Sequence, residues 1–173
     1  MAVNTILVAM YNRRKFIKIS AAGASLAALS PALFAKTTQS TGFPIVISTW
    51  DFGVAANKEA WKTLEKGGRA LDAVEAGVKI PEADLKNHSV GKAGYPDRDG
   101  HVTLDACIMD EFGNCGAVAA MEDIAHPISI ARLVMEKTPH VMLAGDGATQ
   151  FAVEQGFKKE KLLTPESEKA WKA

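Results

Sequence analysis

An excess of charge of either sign is missing: 20 Lys and Arg stand against 20 Asp and Glu in 173 residues. Without a basic surplus nothing drives the counterion release on which nucleic-acid binding depends, so that class of partner is excluded. Metal-ligand spacing is missing too. The four histidines, His88, His101, His126 and His140, form no H-E-x-x-H pattern and no Cys/His cluster, so neither a metal nor any other cofactor is expected. No G-x-S-x-G elbow supports a serine hydrolase. Gly145-Asp146-Gly147 lacks the rest of a phosphate-binding loop and reads as a turn before a helix. Cysteine is scarce. Cys107 and Cys115 flank a turn at 111–114, and a turn centred between Phe112 and Gly113 sets Cys107 against the region of Val118 and Cys115 against Asp110. The sulfurs are then not opposite one another, so no disulfide is expected and buried thiols are the default. What remains is ordinary: 47% hydrophobic and 23% charged residues, without repeats or low complexity, imply one compact domain.

The first 35 residues hold four bases, Arg13, Arg14, Lys15 and Lys18, and no acid. Paired arginines before Phe16 and Ile17, then an Ala- and Ser-rich run from Ile19 to Leu33, fit a twin-arginine export signal. The run is shorter than the roughly 20 strongly apolar residues that span a bilayer. It ends at Ala32-Leu33-Phe34-Ala35, which suits cleavage after Ala35. The alternative is an uncleaved amphipathic helix or anchor. The expected organisation is an export signal at 1–35, a polar linker at 36–43 and a folded region at 44–173, with a periplasmic or secreted destination.

Beyond the linker, Phe43 to Trp50 is rich in aliphatic and β-branched residues and predicts a buried strand. Asn57 is placed to cap a helix with Ala60, Trp61 and Leu64 on one face, stopped by Gly67-Gly68. Leu71, Val74 and Val78 give a second helix an inward stripe, and Pro81 limits it. Val102–Met109 and Cys115–Met121 predict an antiparallel hairpin. Pro127 opens a third helix with Ile128, Ala131, Val134 and Met135 inward, closed at Thr138-Pro139. A strand at His140–Ala144 and a helix from about Gly147 to Gln155 follow. The pattern suits an α+β fold with helices layered on an antiparallel sheet.

Certain segments carry more information. Ser48-Thr49-Trp50-Asp51-Phe52-Gly53, Gly67 to Glu75, Ser89-Val90-Gly91, Pro96-Asp97, Thr103-Leu104-Asp105-Ala106, Pro127 to Arg132 and His140 to Leu143 stand in an order and spacing that closely resemble the α subunit of bacterial glycosylasparaginase. The resemblance covers Pro44 to Trp171. It implies an N-terminal nucleophile hydrolase with a four-layer αββα sandwich, of which this chain supplies the α-subunit half. It also implies autoproteolysis at an Asp-Thr bond, freeing a Thr whose α-amine serves as base for its own hydroxyl. That hydroxyl attacks the side-chain amide of glycosylated asparagine, and an oxyanion hole stabilises the tetrahedral charge.

No Asp-Thr pair occurs in these 173 residues, and no Gly-Thr pair of the plant-type asparaginase kind. The resemblance therefore implies that no catalytic residue lies in this chain and that the nucleophile belongs to a β-subunit portion, the expected partner, in a homo-oligomer of αβ units. By resemblance Trp50 shapes the pocket beside the nucleophile, Phe52 follows it, and Ser89 supports the backbone near the cleavage site. Core packing for the two aromatics, and a plain loop cap for Ser89, are the structural alternatives. Lys92 and Ala93 depart from the aromatic and Gly usual in the family, and a left-handed conformation at that Gly position would strain Ala93. Asp97 to Gly100 reads as a turn. Asp105 is either buried or functional. Three functions stay open: a glycosylasparaginase α-region inactive alone, a plant-type asparaginase or isoaspartyl peptidase relative, and a non-catalytic truncated product.

Overall fold

The computed structural model describes residues 42–173, within which one compact unit runs from Pro44 to Ala173. The expected export signal, and the linker as far as residue 41, lie outside the described residues. Five helices and three strands follow one another as α1 Gly53–Leu64, α2 Ala70–Ala83, β1 Leu104–Met109, β2 Cys115–Met121, α3 Pro127–Lys137, β3 Met142–Ala144, α4 Gly145–Glu154 and α5 Pro165–Trp171.

The expected strand at Phe43–Trp50 does not form. The segment from Phe43 to Ser48 has no regular structure and pairs with no strand among the described residues, and Phe43, Ile45 and Ile47 are exposed. A β-branched run has the propensity for a strand, yet a ladder needs a neighbour, and none is present here. Helix α1 starts at Gly53, four residues before Asn57. Asn57 instead accepts a hydrogen bond from the Ser48 hydroxyl and ties that segment to the helix. The helix ends as expected, with Gly67 N–H donating to Leu64 O and Gly68 N–H to Thr63 O.

Helix α2 packs against α1 through Ala73 and Gly77 rather than through Val74, which stays exposed. Small residues allow the two helices to approach closely, while Leu71 and Val78 of the expected stripe face the main core and only Val74 does not. Pro81 sits inside the last turn of α2, and the helix continues to Ala83.

The hairpin forms as expected, with its register one residue from the predicted one. Cys107 faces Ala117 and Cys115 faces Met109. Both thiols are free, and neither is buried: Cys107 is exposed and Cys115 half-buried, because they sit on the outer face of the sheet. The sheet is mixed, not antiparallel. Its order is β1-β2-β3, and β3 runs parallel to β2 because helix α3 forms the crossover between them.

Helices α3 and α4 pack on the inner face. Ile108, Val118, Met121, Ile128, Ala131 and Val134 form the core with Ala148 and Ala152 of α4 and Leu71 of α2. Pro127 at the first position and Thr138 at the last bound α3 as the sequence indicates. Helix α5 has no counterpart in the sequence expectations. Thr164 and Ser167 cap it reciprocally, with Pro165 at its first position.

Candidate active site

One turn explains why the Ser48–Gly53 motif has this composition. Gly53 N–H donates to Trp50 O at 2.9 Å, and the Asp51 carboxylate accepts Phe52 N–H at 2.8 Å, so the chain reverses sharply into α1. A Cβ on Gly53 would lie 2.2 Å from Ser48 Cβ, which only glycine avoids. The reversal leaves Trp50 69% exposed among the described residues. Its ring stacks on Phe52 with centroids 6.4 Å apart.

These rings line a cleft of about 440 Å³. Its walls are the 48–53 turn, the end of α2 at Val78, Pro81 and Glu82, the loop Ser89-Val90-Gly91, the start of β1 from Thr103 to Cys107, and Pro127 and Ile128 at the start of α3. The three residues singled out from sequence, Trp50, Phe52 and Ser89, therefore meet in one place.

The 89–91 loop is held firmly. Asn87 Oδ1 accepts Ser89 N–H at 2.9 Å, Lys92 N–H donates to Glu82 O at 2.8 Å, and Ala93 N–H donates to Leu162 O at 3.0 Å. Gly91 (φ 66°) and Ala93 (φ 71°) are both left-handed. The strain foreseen at Ala93 is present, and the surrounding bonds hold it there. The other departing residue, Lys92, pairs with Glu160. Ser89 is exposed to the cleft, and among the described residues only its N–H is bonded within the fold.

Two carboxylates reach the cleft, and both are engaged. Asp105 is exposed, not buried, and accepts Ala120 N–H at 2.7 Å across the bulge where β1 and β2 change register. Glu82 is only 3% exposed. Its Oε1 accepts Ile128 N–H at 3.1 Å, and its Oε2 lies 3.1 Å from His126 Nδ1. Burial pushes its carboxyl above the ordinary range, although those two partners act in the opposite sense. Sequence reasoning missed Glu82, because an acid in the last turn of an amphipathic helix ordinarily faces water.

Asp97 closes a plain turn as expected, accepting the N–H groups of Asp99 and His101 at 2.9 Å. No group of three or more His, Cys, Asp or Glu gathers as a metal site among the described residues. Nor does any Ser, Thr or Cys lining the cleft hydrogen-bond to a side-chain base there. The Ser48 hydroxyl is bonded to an amide, and both carboxylates are bonded elsewhere. Among the described residues the cleft holds no activated nucleophile.

A family profile described as asparaginase matches residues 46–173. The chain belongs to that family. It is 60% identical over 166 residues to an N(4)-(Beta-N-acetylglucosaminyl)-L-asparaginase of Elizabethkingia miricola, covering 93% of this chain and 49% of that protein. The rat enzyme of the same name is 46% identical over 126 residues, covering 72% of this chain and 36% of its own length. A putative member from Drosophila yakuba is 44% identical over 149 residues, covering 83% and 37%. The chain thus spans about half, or less, of the curated relatives it matches. The resemblance to bacterial glycosylasparaginase is borne out, and with it membership of an amidohydrolase family of the N-terminal nucleophile class.

Proposed function

We propose that this chain is the pocket-forming α-region of a glycosylasparaginase that hydrolyses the amide between N-acetylglucosamine and asparagine. The observation that carries the proposal is the joint placement of Trp50, Phe52 and Ser89 around a cleft whose own hydroxyls lack a base. A cleft that positions substrate without attacking it calls for a nucleophile from another stretch of polypeptide. In this proposal a β-region supplies a Thr freed by autoproteolysis, whose amine accepts the proton of its own hydroxyl as that hydroxyl attacks the amide carbon. The aminosugar leaves, water hydrolyses the β-aspartyl ester, and the Thr hydroxyl is restored. Trp50 forms a flat wall for the substrate, and Ser89 offers a hydroxyl to backbone near the cleavage point.

The uncovered sheet face supports the same proposal. Cys107, Ala117 and Met142 share a row across β1, β2 and β3, next to Met109 and Cys115, and no described helix covers that side. Strands of the β-region packed there complete a four-layer αββα sandwich, with αβ units assembling further. Delivery to the periplasm or the exterior through the twin-arginine route belongs to the proposal as well.

The test is to produce this chain alone and together with the coding sequence downstream of it, and to measure aspartate release from N-acetylglucosaminyl-asparagine. Activity is expected only in the second preparation, accompanied by a new N-terminal Thr. Aspartate release by this chain alone would overturn the assignment of the nucleophile. A preparation that cleaves itself yet prefers β-aspartyl peptides would move the assignment to the isoaspartyl peptidase type.

A further inference from the structure

We infer that Glu82 is the positioning residue of the cleft, clamping three of its walls into one rigid surface. Three contacts meet at this residue, one from its backbone to the Ser89 loop and two from its side chain to the start of α3. Its backbone carbonyl accepts Lys92 N–H at 2.8 Å and so fixes the end of the Ser89 loop. Its side chain accepts Ile128 N–H at 3.1 Å, one of the free donors at the start of α3, where a carboxylate also meets the positive end of the helix. Its second oxygen meets His126 Nδ1 at 3.1 Å, on the residue that precedes that helix.

The loop contact leaves no slack. A Cβ on Gly91 would lie 2.1 Å from Glu82 O, so loop and helix end touch backbone to backbone.

Stability alone gives a poor account of this arrangement. A carboxyl group that is 3% exposed loses hydration, and the half-exposed His126 ring is its single side-chain partner. Replacing a buried ionic group with an apolar side chain of similar volume is often neutral or stabilising. The fold nevertheless keeps the acid where the Ser89 loop, α2 and α3 converge, beside two left-handed residues. Buried charge and backbone strain gathered in one wall mark a site where geometry is held at the expense of stability. The Glu82 side chain acts through the α3 terminus and its backbone carbonyl through the end of the Ser89 loop, and neither performs chemistry itself.

The inference rests on the proposed function for its effect on activity but not for its structural content, so the test has two arms. Glu82→Gln and Glu82→Leu are made in the protein produced with its downstream region. In the first arm, amide exchange is followed in peptides covering 126–129, which the Glu82 side chain holds, with 88–93, held by the Glu82 backbone carbonyl, as the internal reference. At least tenfold faster exchange is expected at 126–129 in Glu82→Leu, with 88–93 and the core peptides of β2 unchanged. A smaller effect is expected in Glu82→Gln, which keeps an acceptor for Ile128 N–H. In the second arm, KM for the glycosylated asparagine is expected to rise at least fivefold in Glu82→Leu while kcat changes less than twofold, with partial rescue in Glu82→Gln. Exchange indistinguishable from wild type in both variants would overturn the clamp. Faster exchange with KM and kcat unchanged would overturn its role in the cleft. If the unsubstituted protein hydrolyses no such amide, the proposed function fails and the first arm still decides the clamp; if Glu82→Leu does not fold, Glu82→Gln carries both arms.

Discussion

Within the loop that carries Ser89, two neighbouring small residues solve the same backbone problem with different side chains. Gly91 and Ala93 are both left-handed, and at Gly91 the Glu82 backbone stands where a Cβ would have to go. Gly91→Ala should therefore cost about 3 kcal/mol, combining left-handed strain with a clash that backbone cannot relieve. Ala93→Gly should stay within about 1 kcal/mol of wild type. Relief of strain there is offset by the entropy of a new glycine and by loss of a methyl that is fully buried. Ala93→Val should cost at least about 2 kcal/mol, since a β-branched side chain fits that conformation worst. Denaturant unfolding of the three variants checks the order, and a Gly91→Ala protein as stable as wild type would contradict the close approach to Glu82. The departure of Ala93 from the family's glycine was visible in the sequence, and so was its strain. What the sequence hid was the set of partners that hold the loop, because Leu162 and Glu82 lie far from Ala93 and Lys92 along the chain.

Helices were the most legible elements, and they were legible where termini carry chemistry: Gly67-Gly68 ended α1 and Pro127 began α3 as the sequence indicated. Faces were less legible. On α2 the small residues Ala73 and Gly77 pack inward while Val74 does not, so the aliphatic stripe points partly to a surface this chain leaves open. The polar side of α2 is better defined. Arg132 on α3 bonds Asp72 at 2.7 Å, Glu75 at 2.8 Å and Glu136 at 2.8 Å, while Glu75 also accepts from Ser129 at 2.6 Å and pairs with Lys79 at 2.8 Å. Partial burial pushes the Glu75 carboxyl upward, but the hydrogen bonds from Lys79, Ser129 and Arg132 together outweigh it and hold the value at about 2. A folded value below the unfolded one means stability present above the unfolded value and lost as pH falls from about 4.5 toward 2. Glu82 has the opposite sign. Its folded value is raised, so its contribution is fully present below the unfolded value and fades as pH rises through the folded one. Glu75→Gln should flatten the acid side of a plot of melting temperature against pH, and Glu82→Gln should lift the neutral side relative to the acid side. An unchanged acid limb in Glu75→Gln would show that the α2–α3 network does not couple to folding.

An open sheet face is a liability for a whole molecule. In these described residues the sheet has three strands, its inner face is closed by α3 and α4, and its outer face presents Met109 and Met142 with 64% and 57% of their surfaces in water. Ile45 and Ile47 are 79% and 86% exposed on a segment that pairs with no strand among the described residues. Such edges and faces promote association between copies unless another element covers them. Residues 36–173 produced alone should therefore aggregate or populate a state with native-like helix content, a broad unfolding transition and strong binding of a hydrophobic dye. Addition or coexpression of the downstream region should sharpen the transition and abolish dye binding, because burial of the open face and pairing of the 43–50 segment occur together. The aliphatic run from Ile45 to Ile47 has strand propensity but pairs with no strand among the described residues, which is why it is a place where a completing element would add order. A sharp, cooperative, concentration-independent melt of the isolated 36–173 monomer, without dye binding, would mean that this half closes its own core, and the argument for a completing sheet would fall with it.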